Sequence, residues 1–517
     1  MPLNTPLGMG TDISLLPVFP SSIAELYMGG KSHIFGSDAI GGALNLTIDE
    51  KIAATELRIL HGSFNTYGVG FNLAEDNGSS YLTAGFDLSI SEGDFTYMDG
   101  NGRDRIAANN SSSIVKAVYK YSSPLSEKFI LSSSGFASFA DREIMGLMEF
   151  PSMTAHEKDL LAAAGVKGTF PDALSNDSLL EGSVFLRGYR FEFRDMSPPM
   201  PPLVDTESLT AGILFNLLFE KYFTRDAFSL SVSSMSDFGS MKKYSEPTYH
   251  PERTTAALSA SYQWYPIGRL LLHPAFRLEV SKEAGIFPLP AIGVSFKLLD
   301  SLRIYGNASR AFRLPTFDEL YFDAGFVKGN RNLKPEDAIS LEAGIAADLG
   351  WLEFRAGYFN LFIANMIVFT QKSVYYVQAE NSDEAHVSGF ESSLLLKPLK
   401  NLILSAAYTF RDSESKKTGM ELPLMPSHIF SGRLDVDLDL MKIYFEAEGQ
   451  DRFYLNGFET QFEEGRVIFN AGCSLPLDKR LEIAVHLKNM NNKMDMIDLF
   501  QHPLPGFSAF LVANARL

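Results

Sequence analysis

Residues 480–489 read RLEIAVHLKN, and the alternation in this stretch decides the fold class. Every second residue is apolar: Leu481, Ile483, Val485 and Leu487. The residues between them are mostly polar or small: Glu482, Ala484, His486 and Lys488. Because successive side chains of a strand point to opposite faces, the stretch predicts a β-strand with one apolar and one polar face.

The same period of two continues on both sides of this stretch, from about residue 53 onward, in segments separated by Gly, Asn, Asp, Ser and Pro clusters. Residues 402–410 and 443–448 are further examples. A half-buried soluble sheet would alternate in the same way. Membrane strands need about 9 to 11 residues and carry aromatic residues at the interfaces, and many of these segments are long and end in Phe or Tyr. The pattern therefore favours a transmembrane barrel.

Chain length predicts the size of this barrel. Residues 51–517 would supply about 22 strands at roughly 20 to 22 residues per strand and connection. Short turns at 398–401 and 476–479 would be periplasmic. Longer polar or Pro-rich connections would be extracellular, near residues 142–160, 195–206, 239–252, 313–335, 411–427 and 452–466. We thus expect an all-β, antiparallel transmembrane barrel.

Composition excludes several other classes. The net charge is −17, which argues against a nucleic-acid partner because phosphate binding needs clustered Lys and Arg. A single cysteine, Cys473, cannot form an internal disulfide. No stretch approaches the roughly 20 apolar residues of a membrane helix. The sequence also lacks a complete phosphate-binding loop, a Gly-x-Ser-x-Gly elbow and a His-Glu-x-x-His motif, so we expect no enzyme, no metal site and no cofactor.

Ahead of the alternating region, residues 31–46 read KSHIFGSDAIGGALNL. The glycines Gly36, Gly41 and Gly42 permit positive φ and close backbone approach, and the apolar alternation after them predicts a strand. Together with Ser37 and Asp38 they form a compact turn-and-strand motif. An ordinary Gly-rich turn before a strand would be the simpler interpretation if the motif stood alone.

This motif resembles the signature of the plug domain of TonB-dependent outer-membrane receptors. Residues 304–344, with YGNASRAFRLPTFDELYF followed by GNRNLKPEDAISLEAGI, resemble the mid-barrel signature of the same receptors. Weaker matches lie at residues 358–391 and 487–493. The resemblance is to the cobalamin and siderophore receptor group. It implies a partial N-terminal plug (residues 1–50, the C-terminal part of the domain) inside the lumen of a barrel formed by residues 51–517.

The function implied by the resemblance is energised import of a scarce, large nutrient across the outer membrane of a Gram-negative-type bacterium. The ligand would be a ferric siderophore, cobalamin or similar. The implied partners are a TonB-type energy-coupling protein, the nutrient and outer-membrane lipid, and we expect a monomer. The signal peptide, the TonB-contact box and the first half of the plug are expected to be missing from this chain. A passive porin or β-barrel adhesin with a vestigial plug segment is the alternative.

Candidate ligand contacts follow from the same resemblance. Residues 4–12, NTPLGMGTD, align with the apical loop of the plug, which faces the ligand in the family. This comparison selects Asn4, Thr5, Met9 and Thr11, although a merely structural loop fits equally well. Loop methionines and aromatics could likewise contact ligand or pack within the loops: Met145, Met148, Met153, Met196, Met200, Phe317, Tyr321, Phe322 and Phe326.

Overall fold

The structure is a computed structural model that describes residues 3–8, 10–19, 22–48, 54–148, 150–196, 204–243, 248–282, 285–322, 327–373, 376–498 and 501–517. Its N-terminal segment, residues 3–48, contains a short 3-10 helix (Ile13–Leu15), strand β1 (Ser22–Met28), helix α1 (Ser32–Phe35) and strand β2 (Gly42–Ile48). Strands β1 and β2 pair antiparallel, with Met28 opposite Gly42. The two strands form a separate small sheet.

The rest of the chain forms one closed antiparallel barrel of 22 long strands. In chain order these are β3 (Glu56–Gly62), β4 (Thr66–Asp76), β5 (Tyr81–Ser91), β6 (Ser112–Ser126), β7 (Phe129–Glu143), β8 (Ala155–Pro171), β9 (Ser178–Asp195), β10 (Val204–Tyr222), β11 (Ala227–Lys243), β12 (Glu252–Ile267), β13 (Leu270–Ser281), β14 (Gly285–Leu299), β15 (Leu302–Arg313), β16 (Glu336–Asp348), β17 (Leu352–Ser373), β18 (Tyr376–Leu399), β19 (Leu402–Ser415), β20 (His428–Asp437), β21 (Lys442–Gln450), β22 (Arg466–Pro476), β23 (Leu481–Lys488) and β24 (Ser508–Arg516).

The barrel closes because its last strand pairs with its first. Glu56 lies opposite Arg516, and Gly62 lies opposite Phe510. Every other long strand pairs with the strands before and after it in the sequence, which is the up-and-down order. The predicted all-β barrel of about 22 strands is therefore confirmed.

The two faces of each strand differ as the alternation predicts. On β10, Leu209, Phe215 and Leu217 point outward and remain 47% to 51% exposed. The neighbouring inward residue Thr210 is 1% exposed. An apolar outer face and a polar inner face are the pattern of a membrane barrel. None of the helices within the described ranges has the length and hydropathy needed to cross a membrane.

The long connections all lie at one end of the barrel, and the other end has only short turns. The strands extend further than the sequence pattern indicated: β17 has 22 residues and β18 has 24. The predicted loop at 142–160 is correspondingly shorter, because β7 continues to Glu143 and β8 begins at Ala155. At about 3.3 Å per residue, strands of this length project well beyond a hydrocarbon layer of about 30 Å. The strand ends outside this layer lack the apolar alternation by which strands are recognised in the sequence.

The long connections carry some structure of their own. Helix α2 (Phe317–Tyr321) lies in the connection between β15 and β16. Short strand segments lie in these connections or directly beside them: Thr96–Met98, Asp104–Ile106, Gly146–Leu147, Phe150–Pro151, Val327–Lys328, Phe453–Tyr454 and Phe462–Glu463.

The N-terminal segment lies within the lumen of the barrel. Side chains of the barrel strands donate hydrogen bonds to its carbonyl groups from several sides: Lys116 to Leu16 (3.2 Å), Lys120 to Ile48 (3.0 Å) and Ser309 to Gly30 (2.7 Å). The aromatic ring of Phe19 packs so closely on Gly85 of β5 that a Cβ there would lie 2.6 Å from it. The segment therefore spans the lumen and contacts its wall on more than one side.

Candidate ligand-binding site

The two stretches that the sequence analysis singled out separately meet in the lumen. The backbone N–H of Leu314 donates to Ser37 Oγ (2.9 Å), and the N–H of Asp38 donates to the Phe312 carbonyl (3.2 Å). The buried Ser32 hydroxyl accepts from the Phe312 N–H at 3.2 Å. The Gly-rich motif of residues 36–42 is thereby fixed, mainly through backbone groups, to the end of β15.

The glycines of this motif have different structural roles. Gly36 has φ 82° and Gly42 has φ 148°, conformations that side chains with a Cβ rarely adopt. A Cβ on Gly42 would lie 2.4 Å from the Tyr27 carbonyl oxygen. Gly41 differs from our expectation: its φ is not positive, and a Cβ there would have no atom within 4 Å. Two of the three positions thus need glycine for backbone reasons.

A partly buried ion network continues from this junction towards helix α2. The Arg313 guanidinium donates to both carboxylate oxygens of Glu319 (2.9 Å each) and to both oxygens of Glu336 (2.7 and 2.9 Å). Glu319 also accepts from the Thr316 N–H, while Thr316 Oγ1 accepts from the Glu319 N–H, which completes a capping box for α2. One arginine therefore joins the end of β15, the start of β16 and the start of α2.

Asp38 lies beside this network. Part of the Asp38 carboxylate surface is accessible from the lumen, but protein atoms surround the group and exclude most of the bulk water. This burial raises the pKa of Asp38, although the Ser37 hydroxyl and the positive charges of Arg313 and Arg253 oppose the effect. The charges of the network therefore influence the ionisation of the Asp38 carboxylate.

Helix α2 covers the start of the N-terminal segment. The Phe317 N–H donates to the Pro6 carbonyl (2.6 Å), and the Asp318 N–H donates to the Leu7 carbonyl (2.9 Å). Leu7 and Phe317 are buried together with Met241 of β11. Free N–H groups of the first helical turn are thereby satisfied by the apical backbone. The extracellular connection between β15 and β16 consequently folds inward onto residues 6–8.

The predicted ligand contacts lie in this apical region. The Asn4 side chain is exposed and accepts a hydrogen bond from Thr11 Oγ1 (3.2 Å), while the Asn4 carbonyl accepts from Arg187 of β9. Thr5 and Thr11 are half-buried. Met9 lies outside the described residues. The hydrogen bond between Asn4 and Thr11 therefore joins the two ends of the apical loop.

A cluster of charged side chains lies at one side of the apical loop. Arg142 of β7 pairs with three carboxylates, Asp12 (2.8 Å), Glu157 (2.9 Å) and Asp159 (3.0 Å). Arg142 therefore joins the apical segment, through Asp12, to β7 and β8 of the barrel wall. Within the described ranges, no three His, Cys, Asp or Glu side chains are arranged to hold a metal ion.

The loop methionines and aromatics divide between packing and exposure. Met145 is 3% exposed and packs with Phe95 and Tyr97, and Phe317 is 1% exposed. Met153 and Met196 are 65% and 54% exposed. Met200 and Phe326 lie outside the described residues. Met145 and Phe317 therefore belong to the packing of the loops, whereas Met153 and Met196 remain available at the surface.

His33 of α1 provides a pH-dependent feature of this junction. Its Nδ1 is buried without a hydrogen-bond partner among the described residues, and burial lowers the pKa of His33 from 6.5 to about 4, assisted by the positive charges of Lys31 and His273. Because the pKa of His33 is lower in the docked segment than in the undocked segment, the undocked segment binds the proton at a higher pH. Docking stability should be complete above pH 6.5 and should fall as the pH drops towards 4.

We therefore expect docking of residues 22–48 to weaken by about 2 kcal/mol between about pH 7.5 and about pH 5 through His33. Hydrogen exchange of the backbone amides in this range measures the effect. The His33→Gln variant, which cannot titrate, isolates this contribution from that of Asp38. An equal loss of protection in wild type and variant would contradict the assignment.

Comparison with known proteins agrees with this architecture. A family model described as "TonB dependent receptor-like, beta-barrel" matches residues 58–490. The chain belongs to the TonB-dependent receptor family. Proteins of this family are transport receptors of the Gram-negative outer membrane and not enzymes, and this places the chain in that membrane.

Two relatives of this TonB-dependent receptor show what kinds of protein its sequence is similar to. The vitamin B12 transporter BtuB of Photobacterium profundum is 23% identical over 404 residues, which cover 74% of this chain and 61% of the relative. The iron-regulated outer membrane virulence protein of Vibrio cholerae serotype O1 (strain El Tor Inaba) is 30% identical over 183 residues, or 31% and 28% of the two chains. The matched region thus spans less than two thirds of either relative.

Solved structures show the same fold. The copper transporter OprC superposes with a TM-score of 0.80 at 13% identity, covering 96% of this chain and 85% of that chain. The siderophore receptor PirA from Acinetobacter baumannii gives a TM-score of 0.79 at 13% identity, with the same coverage. At this identity, the likeness establishes the receptor fold alone.

Several residues that shape the site were not selected from the sequence. Arg187 and Asp237 form an ion pair at 2.5 Å beneath the apical loop, and Arg253 donates to the Pro315 carbonyl. The three side chains are buried at inward positions of β9, β11 and β12. Charged residues at inward positions of successive strands are the signal that could have indicated them.

Proposed function

We propose that this TonB-dependent receptor imports a scarce, large nutrient, such as a ferric siderophore or cobalamin, by binding it at the lumenal apex and the extracellular loops. The observation that carries the proposal is the inward fold of α2 onto the apical backbone at Pro6 and Leu7. This contact joins the surface where a ligand would arrive to a segment that fills part of the lumen. A simple pore gains nothing from such a connection.

The domain organisation is part of this proposal. Residues 1–50 are assigned as the C-terminal part of a plug domain and residues 51–517 as the transmembrane barrel. The separate β1–β2 sheet and the lumenal hydrogen bonds of the N-terminal segment support the assignment. The motif residues Gly36, Ser37, Asp38, Gly41 and Gly42 have a structural role here and join the plug to β15.

The ligand contacts are assigned to Asn4, Thr5, Met9 and Thr11 of the apical loop. The exposed Asn4 side chain and its hydrogen bond with Thr11 support this assignment, because they give the loop a defined polar surface. A rigid polar surface loses little conformational entropy when it binds a ligand. Specificity would then depend on the loops that surround the apex.

The partners proposed for import are a TonB-type energy-coupling protein, the nutrient itself and outer-membrane lipid, with the receptor acting as a monomer. Pulling on a segment that is fixed to the lumen wall by hydrogen bonds would open a path through the barrel. The hydrogen bonds that join residues 32–38 to residues 312–314 support this mode of action, since they must be broken before the segment moves.

Uptake assays test this function. The receptor is expressed in a Gram-negative host that lacks its own cobalamin and siderophore receptors, and uptake of radiolabelled cyanocobalamin and of labelled ferric enterobactin is measured with and without TonB. We expect saturable uptake of one of these ligands that falls to background without TonB. Non-saturable entry of small solutes in both strains would favour the passive porin, and surface binding without any uptake would favour the adhesin.

A further inference from the structure

Arg331, in the connection between α2 and β16, has an exposed positive charge without a carboxylate partner among the described residues. Its guanidinium lies 5.3 Å from the ring centroid of Tyr321 and 5.9 Å from that of Tyr249. Within the described part of the chain it forms no hydrogen bond and no ion pair. Most other arginines that face the lumen nearby are paired, as Arg313 is. The free charge therefore needs a separate explanation.

The backbone before Arg331 is fixed in place. The Asn330 N–H donates to the Glu319 carbonyl (2.8 Å), and the Asn330 side chain donates to the Ala379 carbonyl (3.1 Å). Gly329 packs against α2 so closely that a Cβ would lie 2.8 Å from the Tyr321 nitrogen. These contacts fix the backbone that places Arg331 beside Tyr321.

This group lies beside the apex of the lumenal segment. Tyr249 and Tyr321 pack on the buried cluster of Leu7, Met241 and Phe317. Their hydroxyls form no hydrogen bond with the described residues. The Arg331 guanidinium and the rings of Tyr249 and Tyr321 therefore lie together beside the apical loop that carries the proposed ligand contacts.

We propose that Arg331, Tyr249 and Tyr321 form a subsite for an oxyanionic group of the imported nutrient. The inference rests on the proposed function and deepens it. A guanidinium offers a fork of N–H donors that matches a carboxylate, phenolate or phosphate, and its hydrogen bonds to such groups are charge-assisted. The two rings hold the guanidinium through cation–π contacts without neutralising its charge.

Titration calorimetry of the purified, detergent-solubilised receptor tests this subsite, with ferric catecholate as the anionic probe. Loss of a charge-assisted contact should weaken binding of the probe by about tenfold to a hundredfold in Arg331→Ala. Arg331→Lys should fall between wild type and Arg331→Ala, because the ammonium keeps the charge but not the fork. Added salt should weaken wild-type binding more than binding to the alanine variant.

Arg452→Ala is the matched control. Arg452 also lies over two aromatic rings, Tyr454 at 5.7 Å and Phe462 at 5.2 Å, but on the connection between β21 and β22. We expect it to bind the probe as wild type does. Equal affinities of Arg331→Ala and wild type, or equal losses in Arg331→Ala and Arg452→Ala, would overturn the subsite.

The two proposals can fail independently. If Arg331→Ala leaves both the TonB-dependent uptake of cyanocobalamin and the probe affinity unchanged, the import function is supported and the subsite is overturned. Probe binding that depends on Arg331 in a receptor without TonB-dependent uptake would support the subsite and overturn the import function.

Discussion

The Gly42→Ala variant is expected to lose the ordered docking of the β1–β2 sheet in the lumen. Its φ of 148° is strained for any residue with a Cβ, and the added methyl would lie 2.4 Å from the Tyr27 carbonyl oxygen. Backbone cannot move aside as a flexible side chain does, so pairing of Met28 with Gly42 must break. Strain and overpacking together should cost about 2 to 5 kcal/mol.

Hydrogen exchange of the amides in residues 22–48 measures this loss, with the barrel amides as an internal reference. Gly41→Ala is the matched control, because a Cβ at this adjacent position meets no atom within 4 Å and the backbone is not strained. We expect Gly41→Ala to exchange as wild type does. Full protection in Gly42→Ala would contradict the conformation described for this turn.

The Arg313→Ala variant is expected to release α2 from the apical backbone. Removal of the guanidinium leaves Glu319 and Glu336, whose side chains are 14% and 10% exposed, without their common cation. Breaking a buried pair in this way typically costs about 3 to 5 kcal/mol, because the carboxylates remain desolvated and repel each other. Since Glu319 also caps α2, the loss should spread to the contacts with Pro6 and Leu7.

Limited proteolysis of the connection at residues 314–335, followed by mass spectrometry, detects this release. Arg310→Ala is a suitable control: Arg310 also forms a two-bond pair, with Asp337 (2.7 and 2.8 Å), but the two side chains are 31% and 30% exposed. A pair with this much access to solvent contributes about 1 kcal/mol or less. Equal cleavage of the two variants would mean that the Arg313 network does not hold α2.

Local alternation and chain length were sufficient to predict the barrel. Stretches such as Leu481–Lys488 alternate because lipid and lumen impose opposite requirements on successive side chains, and that requirement is visible in the sequence. The positions of the strand ends were predicted less accurately. Beyond the hydrocarbon layer the outer faces of β17 and β18 no longer contact lipid, so the apolar period that reveals a strand disappears although the hydrogen-bonded ladder continues.

The candidate site was only partly predictable. Ser37 and Leu314 are 277 positions apart, and no periodicity links two such distant stretches. Gly36, Gly41 and Gly42 look alike in sequence, yet only the folded backbone shows which of them a side chain would disturb. Arg331 lies within a recognised motif, but its isolation from carboxylates depends on where α2 folds.

The seam between β3 and β24 has a consequence for how the molecule is made. Glu56 pairs with Arg516, so the two strands that complete the ring are synthesised at nearly opposite ends of the chain. Contacts between such distant residues form late and slowly. Until they form, both strands present open edges that could recruit other chains. The lumenal segment precedes β3 in the sequence, so it must enter the lumen before the barrel closes. The order of these folding steps is therefore a further property that the sequence encodes.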